Sequence, residues 1–198
     1  MAITNEEAEA FREAILQNPI NRLLLERLPR LGLEDVWLVG GCLFQTVWNV
    51  QTGRAPTDGI QDYDVFYFSG VDLSWEAEHH DILRAAEIVK DIPARVELRN
   101  QARVHLWYGE RFGPGYPQLW SSREGIDRFL ISCARVAVGV GEQNALDLYA
   151  PCGLADLYAG VLRPNPLNFR PDLFAAKSQS YKTRWPWLKV ESSVFTAA

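Results

Sequence analysis

The sequence predicts a single α/β domain of mixed α+β character, in which a mixed β-sheet is flanked by helices. Helical stretches stand at both ends of the chain, and short β-like runs alternate with helical runs between them. The length of 198 residues agrees with one domain, and no internal repeat or interdomain linker is recognisable. We therefore expect N-terminal helices in residues 1–30, a core in residues 36–162 and a C-terminal extension in residues 163–198.

The composition excludes several classes of protein. Hydrophobic residues make up 47% of the chain and charged residues 23%, which is unlike a disordered protein. No apolar run approaches the roughly 20 residues that cross a bilayer, and the first residues are too polar for a secretory signal. The net charge of −5 argues against a dedicated binder of long nucleic acid, which normally carries a basic surface.

The cysteines indicate a reducing compartment. Cys42, Cys133 and Cys152 are odd in number and widely spaced, and none belongs to a CxxC pair. We expect them to be unpaired, small and buried hydrophobic side chains in a cytoplasmic protein.

The N-terminal segment predicts two helices. Thr4 and Glu7 have the spacing of a capping box, in which each side chain satisfies a free backbone amide of the first helix. Asn18 and Pro19 favour the end of this helix and the start of a second, which Pro29 ends.

A strand, a glycine turn and a helix are predicted next. Residues 36–39 form a β-like run, Gly40 and Gly41 follow at once, and residues 42–51 have helical spacing. Residues 52–61 contain two glycines and one proline and are predicted as a loop. Residues 62–68 are rich in aromatic side chains and are predicted as a strand.

The second half of the chain continues the alternation. Helices are predicted over residues 75–90, from Ser121 to about residue 133, over 154–162 and near 171–184. Strands are predicted over residues 95–98, 103–108, 135–140 and 145–150.

Two carboxylates on the aromatic strand are the strongest candidate for chemistry. Asp62 and Asp64 stand at positions i and i+2, which project from the same face of a strand roughly 6.6 Å apart. Two carboxylates within an apolar strand are costly to bury unless a cation pairs with them. Mg²⁺, or Mn²⁺, suits such a pair together with substrate phosphates. The alternative is a strand that begins at the solvent edge, where both acids are hydrated.

The double glycine is a candidate phosphate cradle. Gly40 and Gly41 would let the backbone approach an anion, and the first amides of the following helix, including that of Cys42, add a positive end. The alternative is a tight turn between two packed elements.

A third acid lies on the next predicted strand. Glu97 is flanked by Arg95 and Arg99 on the same strand face, and it would complete a carboxylate triad if its strand lies beside that of Asp62. Otherwise these residues form a solvated row of salt bridges. Arg99 and Arg103 could each grip a phosphate, or pair with the acids instead.

This pattern resembles the nucleotidyltransferase superfamily, the fold of polymerase β and of the enzymes that add CCA to tRNA. The family pattern is a hydrophobic residue, Gly-Gly or Gly-Ser at a helix start, Asp-x-Asp on a strand and a third acid on a later strand. Here Val39-Gly40-Gly41, Asp62-Tyr63-Asp64 and Glu97 match it, with residues 52–61 as an insertion. The segments LVGGC, IQDYDVFYF, VELRNQARVHLWY, YAPCGLADLYAGVLRPNP and YKTRWPWL are similar to those of bacterial nucleotidyltransferase-like proteins.

The resemblance implies a reaction and a set of roles. A nucleoside monophosphate would be transferred from a nucleoside triphosphate to a hydroxyl of an unknown acceptor, a small molecule or a protein. The catalytic and metal-binding side chains would be Asp62, Asp64 and Glu97. The nucleotide-binding residues would be Gly40, Gly41, Cys42, Arg99 and Arg103. Glu97 would bind a second metal ion or help to deprotonate the acceptor.

Two other functions stay open from the sequence. Asp-x-Asp also occurs in glycosyltransferases, where it holds a metal ion and a sugar nucleotide, although such enzymes need no glycine turn before the acids. A member of the same fold could instead be a non-catalytic binding module. The basic and aromatic run from Lys182 to Lys189 could stack on bases, or pack its rings on the core.

Overall fold

A computed structural model describes residues 3–191 of the chain. Residues 1–2 of the predicted N-terminal segment and residues 192–198 of the predicted C-terminal extension lie outside the described residues. In the described part, no helix combines the length and the apolar character that a membrane span requires.

Five strands form the main sheet in the order β3-β2-β1-β4-β5. The strands are β1 (Trp37–Val39), β2 (Tyr63–Tyr67), β3 (Val96–Asn100), β4 (Ala137–Val140) and β5 (Leu146–Tyr149). β2 and β3 are parallel, and the other neighbouring pairs are antiparallel. A small parallel pair joins β6 (Val161–Leu162) to β7 (Lys189–Val190). The predicted mixed sheet is therefore confirmed.

Eight α-helices surround the sheet within residues 3–191. They are α1 (Asn5–Leu16), α2 (Pro19–Arg27), α3 (Gly41–Gln51), α4 (Trp75–Ile88), α5 (Val104–Phe112), α6 (Ser122–Ile126), α7 (Ala155–Ala159) and α8 (Pro171–Arg184). The predicted cap of α1 is present, since the Glu7 amide donates to Thr4 Oγ1 at 3.2 Å and the Thr4 amide donates to the Glu7 carboxylate at 2.8 Å. Asn18 caps α2, with Pro19 at its first position.

The predicted strand over residues 103–108 is wrong, because this segment begins α5. The side chain of Asn100 accepts a hydrogen bond from the Ala102 amide at 3.1 Å and turns the chain out of β3. Val104, Trp107 and Tyr108 then occupy positions i, i+3 and i+4, which one helix face also satisfies. The helix predicted from Ser121 to about residue 133 is also shorter than expected, since α6 ends at Ile126.

The two faces of β2 have different surroundings. Tyr63, Val65 and Tyr67 are buried in the main hydrophobic core. The opposite face carries Asp64 and Phe66, which are half-buried. The alternation expected of a strand therefore places the acid on the face away from the main core.

An aromatic cluster holds the C-terminal extension against α3. The Trp48 ring lies 5.8 Å from the Tyr181 ring and 5.5 Å from the Trp185 ring, between centroids. The indole N–H of Trp185 donates to Asn49 Oδ1 at 2.8 Å. These contacts dock α8 beside the C-terminal half of α3.

The turn between β1 and α3 requires glycine at its first position. Gly40 has φ +57° and ψ −113°, which L side chains rarely adopt, and its amide donates to the Val136 carbonyl at 2.8 Å. A Cβ at this position would lie 2.8 Å from the Phe129 ring.

We predict that Gly40→Ala destabilises the protein by about 2–4 kcal/mol, because strain at positive φ adds to the collision with Phe129. Gly53→Ala is the matched control, since Gly53 has φ +67° and nothing within 4 Å of an added Cβ. It should cost only about 1–2 kcal/mol. Urea unfolding measures both, and equal losses would contradict the close approach of Phe129.

Candidate active site

A cleft of about 610 Å³ opens on the face of β2 that carries the acids. Four parts of the chain build its walls: the turn before α3, strands β2 and β3, helix α5 with the segment after it, and helix α8. The residues that line the cleft include Gly40, Gly41, Gln45, Asp62, Asp64, Phe66, Arg99, Gln101, Trp107, Tyr108, Phe112, Tyr116, Arg128, Phe129, Lys177, Ser180, Tyr181 and Arg184.

Asp64 and Glu97 lie side by side on β2 and on the edge strand β3 of the main sheet. Asp64 pairs across β2 and β3 with Glu97, and across β2 and β1 with Val39. Burial first, and then the charges of Asp62 and Glu97, raise the pKa of Asp64 to about 7. Lys177 and Arg99 act in the opposite direction. The three acids are thus close enough to interact, and the positive charges of Lys177 and Arg99 only partly offset the effects that raise the pKa of Asp64.

Glu97 is engaged by two arginines. Its carboxylate lies 2.5 Å from the Arg95 guanidinium and 3.0 Å from that of Arg99. Glu97 itself does not line the cleft, whereas Arg99 does. In the described part of the chain, no three His, Cys, Asp or Glu side chains form a group able to hold a metal ion. Glu97 therefore combines both expected arrangements, a neighbour of Asp64 and a member of a salt-bridged row.

The glycine turn presents free backbone donors at the cleft. The amides of Leu43 and Phe44 donate to the Gly40 carbonyl at 2.9 and 3.2 Å. Among residues 3–191, the amides of Gly41 and Cys42 have no backbone or side-chain acceptor. These two amides are therefore available to an anion at the start of α3.

The Cys42 side chain is inert. It is fully buried, and its thiol donates to the Val39 carbonyl at 3.7 Å. Burial holds the pKa of the Cys42 thiol well above its usual range, so it stays protonated. Only the backbone of Cys42 can serve a ligand.

Arg103 lies away from the cleft. It is buried, it forms an ion pair with Glu78, and its Nε donates to the Leu73 carbonyl at 2.9 Å. Of the residues expected to bind the nucleotide, Gly40, Gly41 and Arg99 line the cleft, Cys42 lies directly behind Gly41 in the chain without lining it, and Arg103 lies elsewhere.

Sequence reasoning missed the wall formed by α8. Lys177, Ser180, Tyr181 and Arg184 follow one another at helical spacing and line the cleft opposite the acids. Arg184 donates to Gln45 Oε1 at 3.2 Å and to the Gly59 carbonyl at 2.7 Å. Burial lowers the pKa of Arg184, whereas the charges of Tyr181 and Asp62 raise it. The spacing of these residues within the predicted helix was the available signal.

The aromatic end of the cleft was also missed. We use this term for Trp107, Tyr108, Phe112 and Tyr116. The rings of Tyr108 and Tyr116 are stacked, with centroids 4.1 Å apart and an interplanar angle of 29°. Their common location depends on α5, whose first part lies within the segment 103–108 that the sequence predicted as a strand.

We predict that Asp64→Asn stabilises the metal-free protein, increasingly as the pH rises from about 4 to about 7. The folded-state pKa of Asp64 is raised to about 7 from 3.8, so the folded protein retains the proton in this range while the unfolded chain loses it. The stability of the parent protein therefore falls across this window, and asparagine cannot ionise. The gain at pH 8 should be at least about 1 kcal/mol.

Urea unfolding in the presence of a chelator, measured every pH unit from 4 to 8, tests this prediction. Glu13→Gln, at an exposed site on α1, is the control and should follow the parent. A constant difference between Asp64→Asn and the parent at all pH values would contradict it.

Comparisons with known proteins agree with this geometry. A family model described as a nucleotidyltransferase matches residues 26–190. An NMR structure described as revealing a CCA-adding enzyme head domain is 28% identical, with a TM-score of 0.74, and the match covers 96% of this chain and 97% of that one. An apo tRNA-processing enzyme matches at 16% identity and a TM-score of 0.47, over 96% of this chain and 45% of that one, which is too weak to carry an inference. No curated protein matches.

These matches confirm the predicted fold and the resemblance, and they support nucleotidyltransferase activity. Since the family model spans residues 26–190 of 198, this chain belongs to the nucleotidyltransferase family.

Proposed function

We propose that the protein transfers a nucleoside monophosphate from a nucleoside triphosphate to a hydroxyl acceptor, with Mg²⁺ or Mn²⁺ as cofactor. One observation carries this proposal. A single cleft contains a glycine turn with free amides, two neighbouring carboxylates and two cations on the facing helix.

The residues present fit a divalent metal ion. Asp62 and Asp64 would hold it, because Mg²⁺ favours one or two carboxylates together with phosphate oxygens and does not need a cage of protein ligands. The raised pKa of Asp64 supports this assignment, since it reflects burial first and then repulsion from Asp62 and Glu97, and a bound cation would offset both effects. When bound, the metal ion would neutralise charge on the triphosphate.

The triphosphate is assigned to the glycine turn and α8. The amides of Gly41 and Cys42 would donate to phosphate oxygens at the start of α3. Lys177 and Arg184 would supply positive charge from the facing wall. The guanidinium of Arg99 lies near Asp64 and is suited to the phosphate that is attacked.

The transfer itself forms one bond and breaks one. The acceptor oxygen bonds to the α-phosphorus, the bond from the α-phosphorus to the bridging oxygen breaks, and pyrophosphate leaves. We assign the proton of the acceptor hydroxyl to solvent water, because Glu97, which neighbours Asp64 on β3, does not line the cleft and is held by Arg95 and Arg99. The same two ion pairs count against a second metal ion at Glu97.

The family assignment favours this function over a glycosyltransferase. A non-catalytic binding module of the same fold is an outcome of the tests below. The three cysteines are unpaired, and Cys42 and Cys133 are buried as expected, whereas Cys152 is exposed. The unpaired thiols support our proposal of a cytoplasmic setting.

We predict that Mg²⁺ with at least one nucleoside triphosphate raises the melting temperature by about 5–10 °C at a ligand concentration of 100 times Kd. The shift should disappear in the Asp62→Ala, Asp64→Ala double variant and remain in Glu13→Ala. Lys177→Ala should reduce affinity for the triphosphate several-fold without unfolding the protein, since Lys177 is exposed. No shift with any of the four nucleotides would contradict nucleotide binding.

Transfer is tested separately with nucleotides labelled at the α-phosphate. Incubation with fractionated bacterial extract and Mg²⁺ should yield a labelled product that the double variant does not form. If nucleotides bind but no fraction accepts label while a known transferase does so in parallel, the protein is a binding module.

A further inference from the structure

The cleft has two chemically different ends. The polar end contains Gly41, Asp62 and Arg184, and here Arg184 donates a hydrogen bond to Gln45 of α3. The aromatic end lies beyond the C-terminal end of β3. Arg170, just before α8, donates to the Phe112 carbonyl at 3.2 Å. Helix α8 therefore runs along the cleft from the aromatic end to the polar end.

The aromatic end is not part of either hydrophobic core. In the described part of the chain, the two core clusters and the hydrophobic side chains packed against them include none of its four rings. Aromatic side chains normally contribute most by burying their area in a core. Tyr116 is covered by Tyr108 and Arg128, so the aromatic surface that these residues offer to a ligand comes mainly from Trp107, Tyr108 and Phe112.

The position of the aromatic end relative to the acids assigns it to one substrate. In phosphoryl transfer the attacking and leaving oxygens lie roughly in line, on opposite sides of the phosphorus. The glycine turn and Arg184, to which we assign the leaving pyrophosphate, are at the Asp62 side of β2. From Asp62, the strand direction of β2 and β3 leads past Asp64 and Phe66 to the aromatic end, away from the glycine turn. The acceptor therefore enters from the aromatic end.

The charged side chains around the aromatic end restrict the charge of a ring that could bind there. Arg128 lies over the Tyr116 ring at 5.7 Å and occupies the face that a cation would use. Among residues 3–191, the carboxylates that line the cleft are those of Asp62 and Asp64, at the other end. Arg111 likewise lies over the Phe112 ring, at 5.1 Å. A positively charged ligand therefore meets two guanidinium groups and no carboxylate beside the four rings.

We propose that the aromatic end is the acceptor subsite, and that the acceptor carries a neutral or anionic planar aromatic ring close to the hydroxyl that is attacked. The assignment of the ring to the acceptor rests on the proposed function. The binding of a ring at this place does not, and it can be measured by itself.

Saturation-transfer NMR with 2-phenylethanol as the probe tests ring binding. The matched control ligand is 2-cyclohexylethanol, which has the same hydroxyl but no aromatic ring. We expect 2-phenylethanol to bind about five-fold more tightly, the difference that ring stacking supplies. Equal affinity for the two alcohols would overturn the proposal.

Three variants locate the bound ring. Tyr108→Leu should weaken binding of 2-phenylethanol about five-fold, whereas Tyr108→Phe should retain it because the ring remains. Leu106→Ala, at an exposed position of the same helix, should have no effect. If Tyr108→Leu and Tyr108→Phe bind the probe equally, the ring is bound elsewhere and the proposal fails. Comparing these two variants keeps the test valid if Tyr108→Leu is less stable.

Competition separates this proposal from the proposed function. With Mg²⁺ and saturating ATP, 2-phenylethanol should still bind, since donor and acceptor occupy different ends. Displacement by Mg²⁺-ATP but not by Mg²⁺-tripolyphosphate would assign the aromatic end to the base of the donor and overturn the proposal.

Two further outcomes distinguish the acceptor subsite from the proposed function. If 2-phenylethanol does not bind, but tripolyphosphate stabilises the parent and not the Asp62→Ala, Asp64→Ala variant, the acceptor subsite is refuted and the proposed function stays intact. Ring binding without any nucleotide or tripolyphosphate binding would refute both assignments.

Discussion

A partly buried carboxylate with acidic neighbours, Asp64 on β2, is the constraint on which the site depends. Asp64 is half-buried between Val39 and Glu97, so its charge is poorly hydrated and close to other negative charges. The protein compensates only in part, with Arg99 and Lys177 nearby, and the pKa of Asp64 stays raised. Because negative charge at these carboxylates is only partly compensated, the arrangement favours the binding of a cation from solution. The glycine turn beside these acids adds donors for the anion that would accompany the cation.

The second requirement is that the C-terminal extension reaches the acids. Trp48 and Trp185 pack 5.5 Å apart between ring centroids, and they fix α8 against α3. This packing carries Lys177 and Arg184 to the wall that faces the carboxylates. Helix α8 carries Lys177 and Arg184, and the Trp185 ring at its C-terminal end fixes its position. Loss of this packing would therefore also displace the two positive charges.

Local patterns predicted the part of the site that lies within one strand–turn–helix–strand unit. Asp62 and Asp64 had to share a strand face, and Gly40 and Gly41 had to precede a helix, whatever the remaining fold. Residues whose position depends on tertiary packing were not predicted. Arg103 follows β3 in sequence, but Glu78 of α4 draws it into a buried ion pair. Residues 103–108 satisfy both strand and helix spacing, and only the turn at Asn100 decides between them. The approach of α8 to the acids depends on contacts between residues more than 120 positions apart.

Paramagnetic broadening by Mn²⁺ in the ¹H–¹⁵N spectrum of the protein is the most direct test of the central claim, which is that the acids, the glycine turn and α8 form one metal–nucleotide site. With a nucleoside triphosphate present, the amide signals of Gly41, Asp62 and Asp64 should broaden first, followed by those of Lys177 to Arg184. The broadening should be absent in the Asp62→Ala, Asp64→Ala variant. Broadening centred elsewhere, or unchanged in that variant, would contradict the account.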